Sequence, residues 1–327
     1  MAVHPAIRVL DPRDRYSPVA VFRSAWRERR LILRLARRQI EARYRGSVLG
    51  LVWAVLIPLL MLGVYTFVFS AIFPSKWTEK PPDPNVAESS SPTTSAAAVR
   101  DAGDSGGETL PVSARAAAAQ ERRGLYPFVL VLFTGLILFN LFAESVNRAP
   151  GLMLENVTYI KKVIFPLEIM VWVTVLVALF NALVSGALLL LGYLAFRGVP
   201  PPAALLLPVL LIPLILLTVG LCWFLASFGV YFRDLAQFIP VLTTVLLFVS
   251  PIFYPQDSLV EKVPGVLRPL VYLNPIGASV EPARLALFKG QWPDWRMLLA
   301  QTAFGWLIAW LGLAWFTKTR KGFADVV

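Results

Sequence analysis

Side chains able to do chemistry are sparse in this chain, and their spacing points to docking rather than catalysis. Arg27, Arg30, Arg34, Arg37, Glu41 and Arg45 recur every three or four residues, which predicts one charged helical face. Trp26, Leu33, Ala36, Ile40 and Tyr44 fall on a second face, widened by Ile32 and Leu35. Such a helix suits a membrane interface, with apolar groups in the acyl boundary and guanidinium groups toward phosphate. Nucleophile and metal chemistry have little to work with. Cys222 and His4 are each the only residue of their type, which excludes an intrachain disulfide, a Cys- or His-based metal centre and a Ser-His-Asp triad inside the membrane. No lysine follows a glycine, so there is no phosphate loop of the Gly-x-x-x-x-Gly-Lys kind.

The elements that must position these groups are membrane helices. A hydrophobic fraction of 57% with 16% charged residues lies outside the range of water-soluble domains. Six runs lack Asp, Glu, Lys, Arg and His: Val48–Phe73, Leu125–Ala143, Ile169–Phe196, Gly198–Phe232, Leu235–Gln256 and Met297–Thr317. Each is long enough to cross a hydrocarbon layer of roughly 30 Å. The fourth opens on Gly-Val-Pro-Pro-Pro, a tight link after which a helix is expected near Ala203. No signal peptide is expected, because residues 1–47 are too basic and the first apolar run is too long. Charge-free spans also argue against ion-coupled carriers and membrane enzymes that use paired acids.

Six spans put both ends on one side, and charge selects the side. Residues 1–47, the two connections on their face and the tail from Lys318 carry a net +12. The opposite face carries +1. This asymmetry predicts cytoplasmic termini and accounts for nearly all of the basic excess without a nucleic-acid partner. Pro74–Gly124 is rich in Pro, Ser, Ala, Thr and Gly, and reads as a mostly disordered external loop with a weak helix through Ala114–Arg123. Tyr254–Arg296 reads instead as a re-entrant external hairpin, its second helix over Ala278–Phe288 and ending at Gly290.

Between the second and third spans, 147–166 contains a predicted short amphipathic helix, Leu152–Lys162. Leu152, Leu154, Val157 and Ile160 oppose Glu155, Asn156 and Thr158, with Tyr159 and the pair Lys161-Lys162 near its end. It reads either as an ordinary interfacial loop or as a contact through which a partner's motion reaches the spans. With no energy source of its own, an active transporter built this way depends on another polypeptide. Leu152, Leu154, Asn156, Tyr159, Lys161 and Lys162, with Arg37 and Arg38 of the basic helix, are the coupling candidates. Tyr65, Phe69, Phe139, Phe142 and Trp172 are aromatic candidates for contact with a substrate, though each taken singly reads better as an ordinary lipid-facing or packing aromatic.

Several motifs occur together in order. Arg43-Tyr44-Arg45-Gly46-Ser47-Val48-Leu49-Gly50-Leu51-Val52-Trp53, followed by Pro58, resembles the N-terminal signature of ABC-2 type permeases, in particular those of bacterial O-antigen, capsule and teichoic acid export. Asn156 with Ile160 to Pro166, and Tyr231-Phe232-Arg233-Asp234-Leu235, are similar to that family's connections before span three and between spans four and five. Leu273-Asn274-Pro275 with Glu281 and Arg284 resembles its external gate hairpin. The resemblance covers nearly the whole chain except the long Pro74–Gly124 insertion. It implies an all-α integral membrane fold of six helices, with an N-terminal amphipathic helix and a re-entrant hairpin. It implies a homodimer in the bacterial inner membrane, paired with two copies of a separate ATPase that holds ATP and Mg, while this chain binds no cofactor or metal. The expected cargo is a lipid-linked or reducing-end-anchored polysaccharide or a polyol-phosphate polymer, whose sugars the aromatic candidates would meet; an exporter of another amphipathic substrate, or a stand-alone carrier, is the alternative. Topology is directly testable. Cysteine at Ser90 or Ser105 should react with an impermeant thiol reagent from outside, and cysteine at Thr319 should not. Equal labelling at all three would overturn the six-span reading.

Overall fold

The computed structural model describes residues 20–45, 49–68, 112–160, 165–253, 265 and 274–326. Phe69, Lys161, Lys162, residues 74–111 and the first arm of the expected hairpin lie outside these residues. The chain divides into two compact units, Met1–Leu60 with Val131–Val327, and Met61–Leu130. The helices are α1 (Ala20–Arg27), α2 (Arg29–Tyr44), α3 (Trp53–Phe67), α4 (Val112–Arg148), α5 (Val157–Ile160) and α6 (Ile169–Arg197). They continue as α7 (Leu207–Leu210), α8 (Ile212–Tyr231), α9 (Leu235–Val249), α10 (Pro275–Arg284), α11 (Trp295–Thr319) and α12 (Phe323–Val326). No strand occurs among the described residues.

Among the described residues, four segments are long and apolar enough to cross a membrane: Val129–Arg148, Ile169–Arg197, Pro202–Tyr231 and Trp295–Gly322. The chain is an integral membrane protein. At the first and fifth expected spans stand shorter apolar helices, Trp53–Tyr65 and Leu235–Val249. The latter has 15 residues, about 22 Å at 1.5 Å per residue. Pro251 follows it closely, and its last turn is closed by the Ser250 N–H donating to the Leu246 carbonyl. The tight link after α6 is present, with Gly198 at φ +86° and a 3₁₀ turn over Pro202–Leu206. One difference concerns the insertion: residues 112–124 are helical and run without a break into α4. Its Ala-rich stretch at 116–119 has high helix propensity, so the span's helix extends backward through it.

α8 and α11 make the most extensive helix pair. A Cβ on Gly305 would lie 2.7 Å from the Pro213 carbonyl oxygen, and one on Gly220 would lie 2.6 Å from the Ala309 nitrogen. A Cβ on Gly312 would run into the Gly220 carbonyl. One step further, the Ser227 and Thr319 hydroxyls meet at 2.6 Å. These contacts recur every seven residues on both helices at a constant offset, so the two run parallel. Without a hydrophobic force between helices in lipid, close approach of backbones at small residues is what holds such a pair.

α2 uses its apolar face differently from the interfacial expectation. Ile32 and Ala36 are buried against Ile169, Val173 and Val177 of α6, with Leu31, Leu35 and Ile40 packed around them. Tyr44 Oη donates to Asn181 Oδ1 at 3.4 Å, the next step of both four-residue series. So α2 runs alongside the first half of α6, and the apolar stripe meets protein where acyl chains were expected. Trp26, Leu33 and the arginine face stay exposed.

Replacing Gly312 by Val should force the α8 and α11 backbones apart. We expect a loss of about 1–3 kcal/mol, typical of overpacking, read as a lowered thermal midpoint in detergent. A similar substitution at Gly186, whose Cβ position is open, should change little. Equal effects at the two sites would refute the close-approach account.

Candidate functional site: a segment pinned at one end of the bundle

The connection from α4 to α6 is built as a clamped loop. Its first residues are buried: Ala149, Leu152 and Met153 are almost wholly enclosed. Gly229 of α8 sits so close to the Pro150 carbonyl that no side chain would fit there. The Leu152 carbonyl accepts from Asn156 Nδ2 at 2.8 Å, which shapes the 3₁₀ turn Leu154–Asn156 ahead of α5. The expected single helix is therefore a 3₁₀ turn plus one α turn. At the far end, Tyr159 stacks on Phe165 with centroids 4.5 Å apart. Trp223 Nε1 donates to the Glu168 carbonyl at 3.1 Å, and the Glu168 carboxylate holds Arg320 at 2.9 Å. Between these anchors Leu154, Asn156 and Tyr159 remain half-buried.

A polar node at the last turn of α4 ties this loop to α2, α6 and α9. Glu144 accepts from Arg43 at 2.6 Å and from Asn181 Nδ2 at 2.8 and 3.0 Å. Asn147 Oδ1 accepts from the Thr243 hydroxyl of α9 at 2.9 Å. With its amide oriented to accept, Gln39 Oε1 takes two hydrogen bonds from Arg148, at 2.5 and 3.0 Å. Arg148 also lies 3.9 Å from Glu155 of the loop. Charge-assisted bonds of this kind are strong where water is partly excluded. The node can carry a displacement of the loop or of α2 into three helices at once.

Of the coupling candidates, Leu152 is buried as an anchor, and Leu154, Asn156 and Tyr159 share the loop surface. Arg37 pairs only with Glu41 of its own helix at 2.8 Å, and Arg37 and Arg38 are both exposed. Sequence reasoning did not single out Asn181, Arg148 or Gln39. A signal was available: Asn181 is the one amide in the apolar α6, and such groups mark interhelical bonds. Phe139 and Phe142 are buried in the bundle, and Trp172 meets Trp223 edge-on at 5.9 Å beside the α2–α6 contact. Tyr65 stands in the last turn of α3.

The gate candidates form a lock at the opposite end. Asn274 caps α10, its Oδ1 accepting from the Ile276 and Gly277 nitrogens, with Pro275 at the first helical position. Asn274 Nδ2 donates to Ser250 Oγ at 2.9 Å. Arg284, buried, donates to three backbone carbonyls: Val131 at 3.1 Å, Pro251 at 2.7 Å and Ile252 at 2.6 Å. Glu281 lies 4.0 Å from Arg284. The helix continues as a π turn, Leu285–Lys289, and stops at Gly290 in the left-handed conformation, as its sequence predicted.

Residues 30–288 match the ABC-2 type transporter family. The chain belongs to that family. An O-antigen export system permease protein of Myxococcus xanthus is 23% identical over 309 residues, spanning 94% of this chain and 100% of the relative. Another of that name, from Klebsiella pneumoniae, is 21% identical over 305 residues, spanning 91% of this chain and 95% of the relative. Both alignments extend over the clamped loop and the node of this ABC-2 chain.

Replacing Arg284 by Met should deprive the buried Pro251 and Ile252 carbonyls of this donor, at about 1–3 kcal/mol each, while the Val131 carbonyl lies within α4. The expected readout is proteolysis at the junction of α9 and the hairpin, at protease levels that spare the parent protein. Unchanged resistance would show that the arginine does not hold that junction.

Proposed function

We propose that this chain is the membrane-spanning permease subunit of an ATP-driven exporter that moves a lipid-linked polysaccharide out of the cytoplasm. Membership of the ABC-2 family and the O-antigen export relatives support the permease role and the cargo class. The observation that carries the mechanism is the loop between α4 and α6. It is held rigidly at both ends and leaves Leu154, Asn156 and Tyr159 available between the anchors. A partner pressing on that surface acts on α4 and α6, and through Glu144 and Asn181 on α2.

In this reading the energy comes from two copies of a separate ATPase, which hold ATP and Mg, while this chain contributes no hydrolytic chemistry and binds no cofactor. Two copies of the chain enclose the path, in the bacterial inner membrane with both termini in the cytoplasm. α3 and α9 complete six spans per chain, and the charge asymmetry of +12 against +1 supports that topology. Lys161 and Lys162 extend the docking surface, Arg37 and Arg38 add a second basic contact, and the α10 arm with Asn274 and Arg284 closes the external end.

Replacing Leu154 and Tyr159 by Asp should place unpaired charge in a protein contact, at a cost of several kcal/mol. The permease should still insert, because neither residue is in a span. Co-purification of the ATPase or substrate-stimulated ATP hydrolysis should be lost, and export with it. Normal binding and export by this double variant would remove the loop from the coupling path.

A further inference from the structure

The inner ends of α8 and α11 carry a stacked aromatic ridge with cations near it that form no ion pair among the described residues. Phe224, Phe228 and Phe232 recur every four residues along α8 and its C-cap, with ring centroids 4.7 and 5.8 Å apart. Trp315 of α11 lies 5.8 Å from both Phe224 and Phe228. The ridge is open: Phe224, Phe232 and Trp315 are 40%, 62% and 39% exposed. At that offset Lys318 and Lys321 stand level with Ala226 and Gly229, within the length of the ridge, and Arg233 follows Phe232 directly. All three cations are exposed, and none forms an ion pair among the described residues. Arg320, between the two lysines, is taken by Glu168. Of the neighbouring acids, Asp234 stands at the N-terminal end of α9, whose dipole offsets it, and Asp325 follows Lys321 by four residues in α12.

We propose that this face of α8 and α11 is a docking site for an anionic phospholipid, its acyl chain along the ridge and its phosphate held by Arg233, Lys318 and Lys321. The location supports that occupant. Charge begins here on both helices after uncharged runs of membrane-spanning length, so the ridge ends at the level where headgroups start. Aromatic side chains favour that level, and lysine stems reach along the apolar surface to place their ammonium groups in it. A second copy of the chain fits poorly. A twofold contact would set the same unpaired cations against themselves. A water-soluble partner would have to cover rings that belong to a membrane-spanning segment. The site does not depend on which substrate the exporter carries.

The test uses the full chain in nanodiscs of phosphatidylcholine with a minority of phosphatidylglycerol, extracted gently and weighed by native mass spectrometry. The parent protein should retain phosphatidylglycerol in preference to phosphatidylcholine. Each basic group near an anionic lipid contributes roughly fivefold. The triple variant Arg233→Gln, Lys318→Gln, Lys321→Gln should therefore lose most of the preference, on the order of tenfold or more. The triple arginine/lysine-preserving variant Arg233→Lys, Lys318→Arg, Lys321→Arg should keep it, and Phe228→Ala should shorten retention of either lipid. Substituting Arg30 and Arg34 by Gln, or Arg296 at the other end of α11, should leave the preference in place. The proposal is overturned if the triple Gln variant keeps the parent preference, or if the preference instead follows Arg30 and Arg34. Efficient disulfide cross-linking of Lys318→Cys between two copies would also overturn it, and assign the face to a dimer.

Discussion

The close approach of α8 and α11 is the contact on which the remaining packing depends. Glycines at Gly220, Gly305 and Gly312 let the two backbones meet. The parallel register that follows brings the Ser227 and Thr319 hydroxyls together and lets Tyr231 Oη donate to the Thr319 carbonyl. It also fixes where Arg320 and Phe323 fall. Phe323 is buried against Phe316 and Tyr231, and Arg320 reaches Glu168 at the base of α6. In lipid, where apolar surface gives helices little reason to associate, dispersion across so narrow a gap is what remains to hold them.

On this base the buried charges among the described residues, Glu168 and Arg284, stand at the two ends of the spans. At one end Glu144, Asn181, Arg43 and Tyr44 satisfy one another, and Glu168 is matched by Arg320. At the other, Arg284 spends its donors on the carbonyls that the turn after α9 leaves free. A single missing partner would strand a charge in a medium of low dielectric, so each set stabilises one arrangement strongly or fails as a group. That property suits a machine whose ends move as rigid blocks while the spans between them slide.

The loop between α4 and α6 combines both features. Its anchors, Pro150 against Gly229 and Glu168 under Trp223, belong to the α8 packing. Its turn keeps Leu154, Asn156 and Tyr159 half-buried, with Tyr159 stacked on Phe165. The same logic separates the two amphipathic faces of α2: one is consumed by α6, and the arginine face is left outward.

Much of this was legible in the sequence. Long charge-free runs require helices, because backbone groups in hydrocarbon have no other partners, and the charge count orders the loops around them. The turn at Gly198 and the stop at Gly290 were readable as local chemistry, since each depends on one residue's backbone preference. What the sequence could not assign was the partner of each group. Periodicity marked an apolar stripe on α2 but did not distinguish lipid from α6, since both are equally apolar. Phe139, Phe142 and Trp172 read better singly as lipid-facing or packing aromatics than as channel ones, but their burial came from neighbours far away in sequence. Glu144 and Asn181 are separated by 37 residues, and Glu168 and Arg320 by 152. Only the register of packed helices brings such groups within bonding distance, and that register is set by glycine contacts whose meaning appears when the partner helix is in place.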